Sequence, residues 1–156
     1  MNRRISFVIH LAAVLTLVVT TVACRWNDTV YHSSRSCGNE WCRDSVLTYD
    51  LPTLGPFRSE IELRYDKRFP YRKVWLKVEH NLNFPTVRET DTIGVELYDK
   101  SGNPLGKGMA GIYQISVPFI TFPGRGGYKR GMSISHCMSD DYLVGISDIG
   151  VRIMAQ

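Results

Sequence analysis

The residues in this sequence whose types could do chemistry are two histidines, a group of acids, two glycine clusters, the cysteines and one tryptophan. His136 falls in the alternating set Met132, Ile134, His136 and Met138, which places it on an apolar strand face. A hydrogen-bonded core histidine is expected there in place of a general base. Ser133 and Ser135 lie on the opposite face, so that imidazole has no hydroxyl to activate. His80 is the second candidate base. Asp140, Asp141 and Asp148 are close enough in sequence to raise the two-carboxylate chemistry of glycoside hydrolysis, but acids in loops are ordinarily solvated. Gly106-Lys107-Gly108 and Gly124-Arg125-Gly126-Gly127 do not open a helical pattern after a buried strand, as a phosphate loop does, and read as turns or bulges. No catalytic residue, metal or cofactor is therefore expected, and the chain is read as non-enzymatic. Trp75 is the candidate partner-binding residue. Its place between Lys73 and Lys77 sets an aromatic ring on the polar face of a strand, as a sugar-stacking or protein-binding surface would. The pattern leaves open the alternative that a third element covers that face.

The cysteines are read together with the start of the chain. Met1 to Ala23 opens with Arg3 and Arg4 and runs through Ile5 to Val22 without an acid, the layout of an export signal. Ser6, His10, Thr16, Thr20 and Thr21 interrupt the apolar run, which makes it marginal as a spanning helix of about 20 apolar residues. It ends Thr21-Val22-Ala23-Cys24, which resembles the lipobox of bacterial lipoproteins. That resemblance implies a Cys24 diacylated on sulfur and, after cleavage, acylated on its new amine, against an uncleaved anchor or an ordinary secretory signal. Arg25 stands where inner-membrane retention favours Asp, which implies the outer membrane and its periplasmic face. Cys37, Cys42 and Cys137 remain, an odd number in a compartment that permits disulfides, and one bridge with one free thiol is expected. Zinc on His32 and the three cysteines is disfavoured by their spacing.

These residues have to be held by something, and the chain offers strands. Ile61, Leu63 and Tyr65 alternate with polar residues, as do Val74, Leu76 and Val78, then Ile93, Val95 and Leu97, then Tyr113, Ile115 and Val117, and last Ile149, Val151 and Ile153. Turn chemistry separates the runs at Phe69-Pro70, Asn81 to Pro85, Asp99 to Pro104 and Pro123 to Gly127. Thr29 to Tyr31 and Val46 to Tyr49 add strands at the start, and one helical turn is expected near Asp140 to Leu143. The expected fold is all-β: a single antiparallel β-sandwich with Ile61, Leu63, Val74, Leu76, Val95, Ile115, Ile134 and Val151 in its core. The organisation reads as residues 1–23 signal peptide, 24–45 lipid anchor with N-terminal linker and first strand, and 46–156 β-sandwich domain. A chain of 156 residues at 44% apolar and 22% charged fits one modest domain. A formal charge of +4 with no long basic run excludes nucleic acid as a partner.

One family carries many of these residues in order: Phe69-Pro70-Tyr71, Asp91-Thr92, Leu97-Tyr98-Asp99 with Gly102, Leu105, Gly106 and Gly108, Gly127-Tyr128, Met138 with Leu143, Gly145-Ile146, and Asp148 to Ile153, with Trp41 and the Cys24 lipobox upstream. On these the chain resembles the gliding-motility lipoprotein family of GldH type. Pro104, before the Leu-Gly pair, and Ser139 depart from it. The resemblance implies an outer-membrane-anchored periplasmic accessory protein of the gliding and type 9 secretion apparatus. It does not imply that the host glides, since family members occur in bacteria that do not. Its implied partners are the membrane, through the lipid, and an envelope protein complex. The alternative from another class is a cell-surface carbohydrate-binding sandwich, for which Trp75 would share one exposed plane with Tyr71 or Tyr98. Asp28-Thr29-Val30, Asp44-Ser45-Val46 and Asp91-Thr92-Ile93 resemble the O-glycosylation motif of bacteria that carry this family.

Cys24→Ser should release the protein from the membrane fraction, read by fractionation and mass spectrometry of the N-terminus. A variant that stays membrane-bound with its signal uncut rules out lipidation.

Overall fold

An extended backbone points successive side chains to opposite faces, and a sheet lets the apolar half meet an apolar partner while the polar half stays wet. A computed structural model describes residues 28–38, 40–52, 55–84, 86–123 and 128–156. Residues 1–23, Cys24 and Gly124 to Gly127 lie outside them. The described strands are β1 (Thr29–Ser36), β2 (Glu40–Cys42), β3 (Leu47–Leu51), β4 (Phe57–Asp66), β5 (Lys73–His80), β6 (Glu89–Glu96), β7 (Lys107–Met109), β8 (Ile112–Phe122), β9 (Arg130–His136), β10 (Tyr142–Val144) and β11 (Ile146–Ala155). Among the described residues there is no helix.

All the pairings are antiparallel. One sheet has the order β1-β11-β4-β8-β7, a second β3-β9-β5-β6, and β10 pairs with β2 alone. The two larger sheets share one core, as an antiparallel β-sandwich does. Ile61, Leu63 and Tyr65 of β4 and Ile149, Val151 and Ile153 of β11 meet Val74, Leu76 and Val78 of β5 and Ile134 of β9 there, all of them buried. Residues 29–36 and 40–42 are part of this body, because β1 pairs with β11 and β2 with β10.

Seven of the eight residues expected in the core are buried, and Ile115 is the exception, half-buried at its margin. The cause is topological. Strand β7 covers the outer edge of β8 only from Ile112 to Gln114, so Ile115 faces inward beside an edge that no described strand closes. The helical turn expected near Asp140 to Leu143 is instead a bend leading into β10, whose Tyr142, Leu143 and Val144 pair with Cys42, Trp41 and Glu40. Pairing wins because it buries Leu143 and Trp41 in the common core. Gly145 then turns the chain into β11 at φ 82°, and a Cβ there would stand 2.2 Å from the Phe69 nitrogen, so only glycine fits. At the β7–β8 hairpin, Ala110 and Gly111 both have positive φ, 57° and 83°. That is the two-residue turn whose twist matches antiparallel strands.

The expected bridge is absent: Cys37, Cys42 and Cys137 are all thiols. They belong to three different sheets. Cys37 follows β1 and donates its N–H to Ser147, Cys42 ends β2, and Cys137 follows β9 and donates its N–H to Trp75. Burial, and then the nearby Asp148 carboxylate, push the Cys37 thiol up to about 12, so it stays protonated.

Buried polar groups tie the layers. The Tyr49 hydroxyl of β3 donates to the Ile149 carbonyl of β11 at 2.7 Å, and the Tyr65 hydroxyl of β4 donates to the Leu97 carbonyl, beyond β6, at 2.7 Å. Tyr65 also accepts from the Gly106 N–H at 2.9 Å. As expected, His136 is a core residue. Its Nε2 donates to the Trp41 carbonyl at 3.0 Å and its ring meets the Trp41 indole edge-on at 5.2 Å, while Nδ1 is buried without a partner.

Two outcomes follow for stability. Leu63→Ala should cost about 2–5 kcal/mol in a denaturant titration, and Ile115→Ala clearly less because its side chain already meets solvent. Burial lowers the His136 pKa, so the unfolded chain binds a proton there more readily than the folded one. Stability should then be full above the ordinary histidine value and fall as pH drops through about 6.5. His136→Asn should flatten the fall in melting temperature between about pH 7 and 5, and an unchanged slope would show that another group controls it.

Candidate functional site

Strand β5 runs inside its sheet between β9 and β6, with Val74, Leu76, Val78 and His80 turned to the core and Lys73, Trp75, Lys77 and Glu79 turned outward. Trp75 is thereby presented on the open face of the four-stranded sheet, 44% exposed. No described element covers it. The indole lies across the neighbouring strand at Gly94, its register partner, where an added Cβ would stand 2.9 Å from the ring. The glycine therefore lets the ring lie flat. Beside it the Lys73 ammonium is 5.3 Å from the ring centre, within cation–π reach, and 3.4 Å from Glu96. The backbone N–H of Trp75 points to the Met138 sulfur at 3.3 Å, and its carbonyl accepts from the Cys137 N–H at 3.0 Å. The result is a flat patch of one aromatic ring, a glycine and paired charges. Such a patch can anchor a protein surface.

The aromatic plane that would mark a sugar site is not assembled around Trp75. Tyr98 is half-buried, donating its hydroxyl to the Asp66 carbonyl at 2.8 Å and standing edge-on to Tyr65 at 5.5 Å. Tyr71 is exposed, but its hydroxyl donates to Asp140 at 2.7 Å, and that hydrogen bond holds the phenol above its ordinary pKa. The two tyrosines meet elsewhere, in a groove of about 450 Å³ that Pro70, Arg72 and Tyr113 also line. Trp75 is not part of it.

The residues considered for catalysis are dispersed. His80 is buried; its Nδ1 accepts from the Leu82 N–H at 3.3 Å, so Nε2 carries the proton and donates to Asp91 at 2.8 Å. Asp140 is bound to Tyr71, Asp141 to Arg43 at 3.2 Å, and Asp148 sits on the five-stranded sheet 3.9 Å from Arg64. The acids near residue 140 are thus held apart from Asp148 by different partners on different elements. Gly108 lies in strand β7, where a Cβ would strike the Ile112 carbonyl, and Gly106 approaches the Gln114 carbonyl closely. Neither cradles a phosphate. Among the described residues no group of three or more His, Cys, Asp or Glu converges as metal ligands do.

One cluster escaped the sequence reading. On the outer face of the five-stranded sheet Glu62, only 5% exposed, meets His32 Nε2 at 2.8 Å, the Gln114 amide at 3.4 Å and the Arg152 guanidinium. Alternation of Glu60, Glu62 and Arg64 with Ile61 and Leu63 does mark that face as polar. It carries no sign that β11, from the far end of the chain, pairs with β4 and brings β1 in on its other side, so that His32 and Arg152 close over the carboxylate.

Residues 29–153 match the family model of the GldH lipoprotein. A gliding motility lipoprotein GldH from Flavobacterium johnsoniae is 27% identical over 139 residues, covering 80% of this chain and 83% of its own. Among solved structures, a family GH115 4-O-methyl-alpha-glucuronidase with specificity for decorated arabinogalactans overlaps 86% of this chain at 15% identity and a TM-score of 0.40. The chain spans only 18% of that enzyme's length, and a likeness at that score carries no argument. The match along residues 29–153, with a gliding-motility lipoprotein aligned over four-fifths of the sequence, is a statement of kinship: the chain belongs to the GldH lipoprotein family.

Proposed function

We propose that this chain is an outer-membrane lipoprotein facing the periplasm that supports assembly or stability of the gliding and type 9 secretion machinery, catalyses no reaction itself, and meets its envelope partner through Trp75. The observation that carries the contact is the exposed indole laid flat over Gly94 beside Lys73. Rings of this kind are held at low entropic cost and often contribute about 2 kcal/mol or more when a partner desolvates them. Membership of a lipoprotein family supports a lipid anchor at Cys24, and Arg25 in place of Asp supports the outer membrane.

The second reading, a surface carbohydrate-binding sandwich, has one observation in its favour. The groove beside Tyr71, Tyr98 and Tyr113 offers aromatic walls with Arg72 at its edge. Aromatic faces and a few polar groups are what sugar rings pack against. The Trp75 patch, with its paired charges and outside that groove, fits a protein better.

Trp75→Ala should leave the melting temperature nearly unchanged and weaken partner capture in crosslinking pull-downs from the intact envelope at least about tenfold, or about 1.4 kcal/mol. Lost stability with intact capture would make the ring structural and put the binding face elsewhere. Soluble glycans that shift the tyrosine signals of the Tyr71–Tyr113 groove while Trp75→Ala leaves capture untouched would favour the sugar reading.

A further inference from the structure

The sandwich is open along one side. Among the described strands β6 is an edge, paired only with β5, and no described strand covers β8 from Ile115 to Phe122, since β7 stops opposite Gln114. Between these two edges runs a cleft of about 340 Å³, walled by Asp91 to Val95 on one side and Val117 to Ile120 on the other. Along β6 the main-chain groups turned away from β5 meet no described strand. On the β8 side Pro118 has no N–H, and Ile120 is turned to β4, its N–H and C=O both bonded to the Ser59 hydroxyl at 3.1 and 2.8 Å. Long unpaired edges are liabilities that proteins usually cover, bulge or charge.

The cleft also has a chemical polarity. Register with β5 turns Asp91, Ile93 and Val95 inward, opposite Val78, Leu76 and Val74. Ile93 and Val95 face the half-buried Val117 and Phe119 across the gap, an apolar stretch with room left in it. At the other end stands Asp91, its side chain half-exposed and one oxygen held by His80. Glu89 is close by, 3.8 Å from the His80 ring. Strands β6 and β8 together carry three acids and no lysine or arginine.

We propose that this cleft is a strand-addition site, taken by an extended segment of another protein that pairs with β6, drops apolar side chains at alternate positions against Ile93, Val95, Val117 and Phe119, and points a lysine or arginine at Asp91. Main-chain pairing supplies the affinity and alternate pockets the selectivity. A second copy of this chain fits badly. Antiparallel self-pairing of β6 about Asp91, Thr92, Ile93 or Gly94 sets the Asp91 carboxylate opposite Asp91, Ile93, Val95 or Leu97, where it meets either its own charge or an apolar side chain. The chain's own N-terminal segment enters at β1, the far edge of the five-stranded sheet from β8. This site does not require Trp75 to be a contact.

The test uses the full-length protein extracted from membranes and, as probes, the capped peptide Thr-Val-Thr-Val-Thr-Lys-Thr and its reversed sequence. One of the two orders should slow hydrogen exchange at alternate β6 amides at least about tenfold while leaving β1 unchanged. Replacing the probe's Lys with Glu should weaken it at least about tenfold, as should Asp91→Asn, which keeps an oxygen for His80. Trp75→Ala should not change probe binding, so failure of the Trp75 contact and failure of this site are told apart. If neither order protects β6, if the Glu probe binds equally, or if β6 becomes protected with protein concentration alone, the proposal is overturned, the last outcome in favour of a second copy. Should Asp91→Asn fail to fold, the Lys and Glu probes on the unaltered protein still decide.

Discussion

Two phenol hydroxyls cross the sandwich in opposite directions, and the alignment of its layers rests on them. Tyr49 reaches from the four-stranded sheet to the Ile149 carbonyl, and Tyr65 from the five-stranded sheet to the Leu97 carbonyl. In a dry core a phenol without a partner costs more than a bond gains, so each hydroxyl tolerates only the registry that brings its carbonyl within reach. Hydrophobic contact alone would let two apolar sheets slide. Tyr65 carries more still, because its oxygen also receives the Gly106 N–H, and its ring stands against Tyr98 and Tyr113. The loop from Leu97 to Gly106 is therefore positioned from inside the core, and with it one wall of the tyrosine-lined groove.

The two outer faces end in different electrostatic states. On the five-stranded sheet, Glu62 gathers His32 and Gln114 on one oxygen and the Arg152 guanidinium on the other, so the charge of a nearly buried carboxylate is met within its own chain. Little there is left for a partner to complete. The four-stranded sheet instead exposes an indole, and its β6 edge exposes unpaired main chain. Ion pairs on that face, Lys73 with Glu96 and Lys77 with Glu79, lie in solvent and contribute little to stability. What distinguishes the face is apolar and main-chain surface without an internal partner. Recognition draws on such surface more than on bulk charge.

Much of the architecture is legible in the sequence, because long alternating runs admit few arrangements. Ile61, Leu63, Val74 and Leu76 had to share faces, and His136 in phase with Ile134 had to be a core histidine. Misses came where a property depends on neighbours distant in sequence. Ile115 is in phase with the core, but its burial depends on whether a strand closes the edge of β8. Strands β2 and β10, three residues each, are too short to show a period, and their pairing joins Trp41 to Leu143 across a hundred residues. The cysteines gave a parity and no partners, since parity says nothing of which sheet each one occupies. The alternation around Trp75 fits both a covered and an open sheet face; the ring is exposed because no described element packs over it and Gly94 lets it lie flat.

Strand β11 lies between β1 and β4, although it is the last strand in sequence and β1 the first. Thr29 pairs with Met154, so the inner slot of the larger sheet stays empty until residues 146–155 are available. Loop closure over such a span is slow, and a chain dominated by contacts of this range folds late as a unit. A polypeptide leaving a ribosome or a translocon from its N-terminus would hold β1 and β4 as two unsatisfied edges for the whole of its passage. Cutting the chain before residue 146 would then remove the strand that joins β1 to β4, leaving each of them with an unpaired edge.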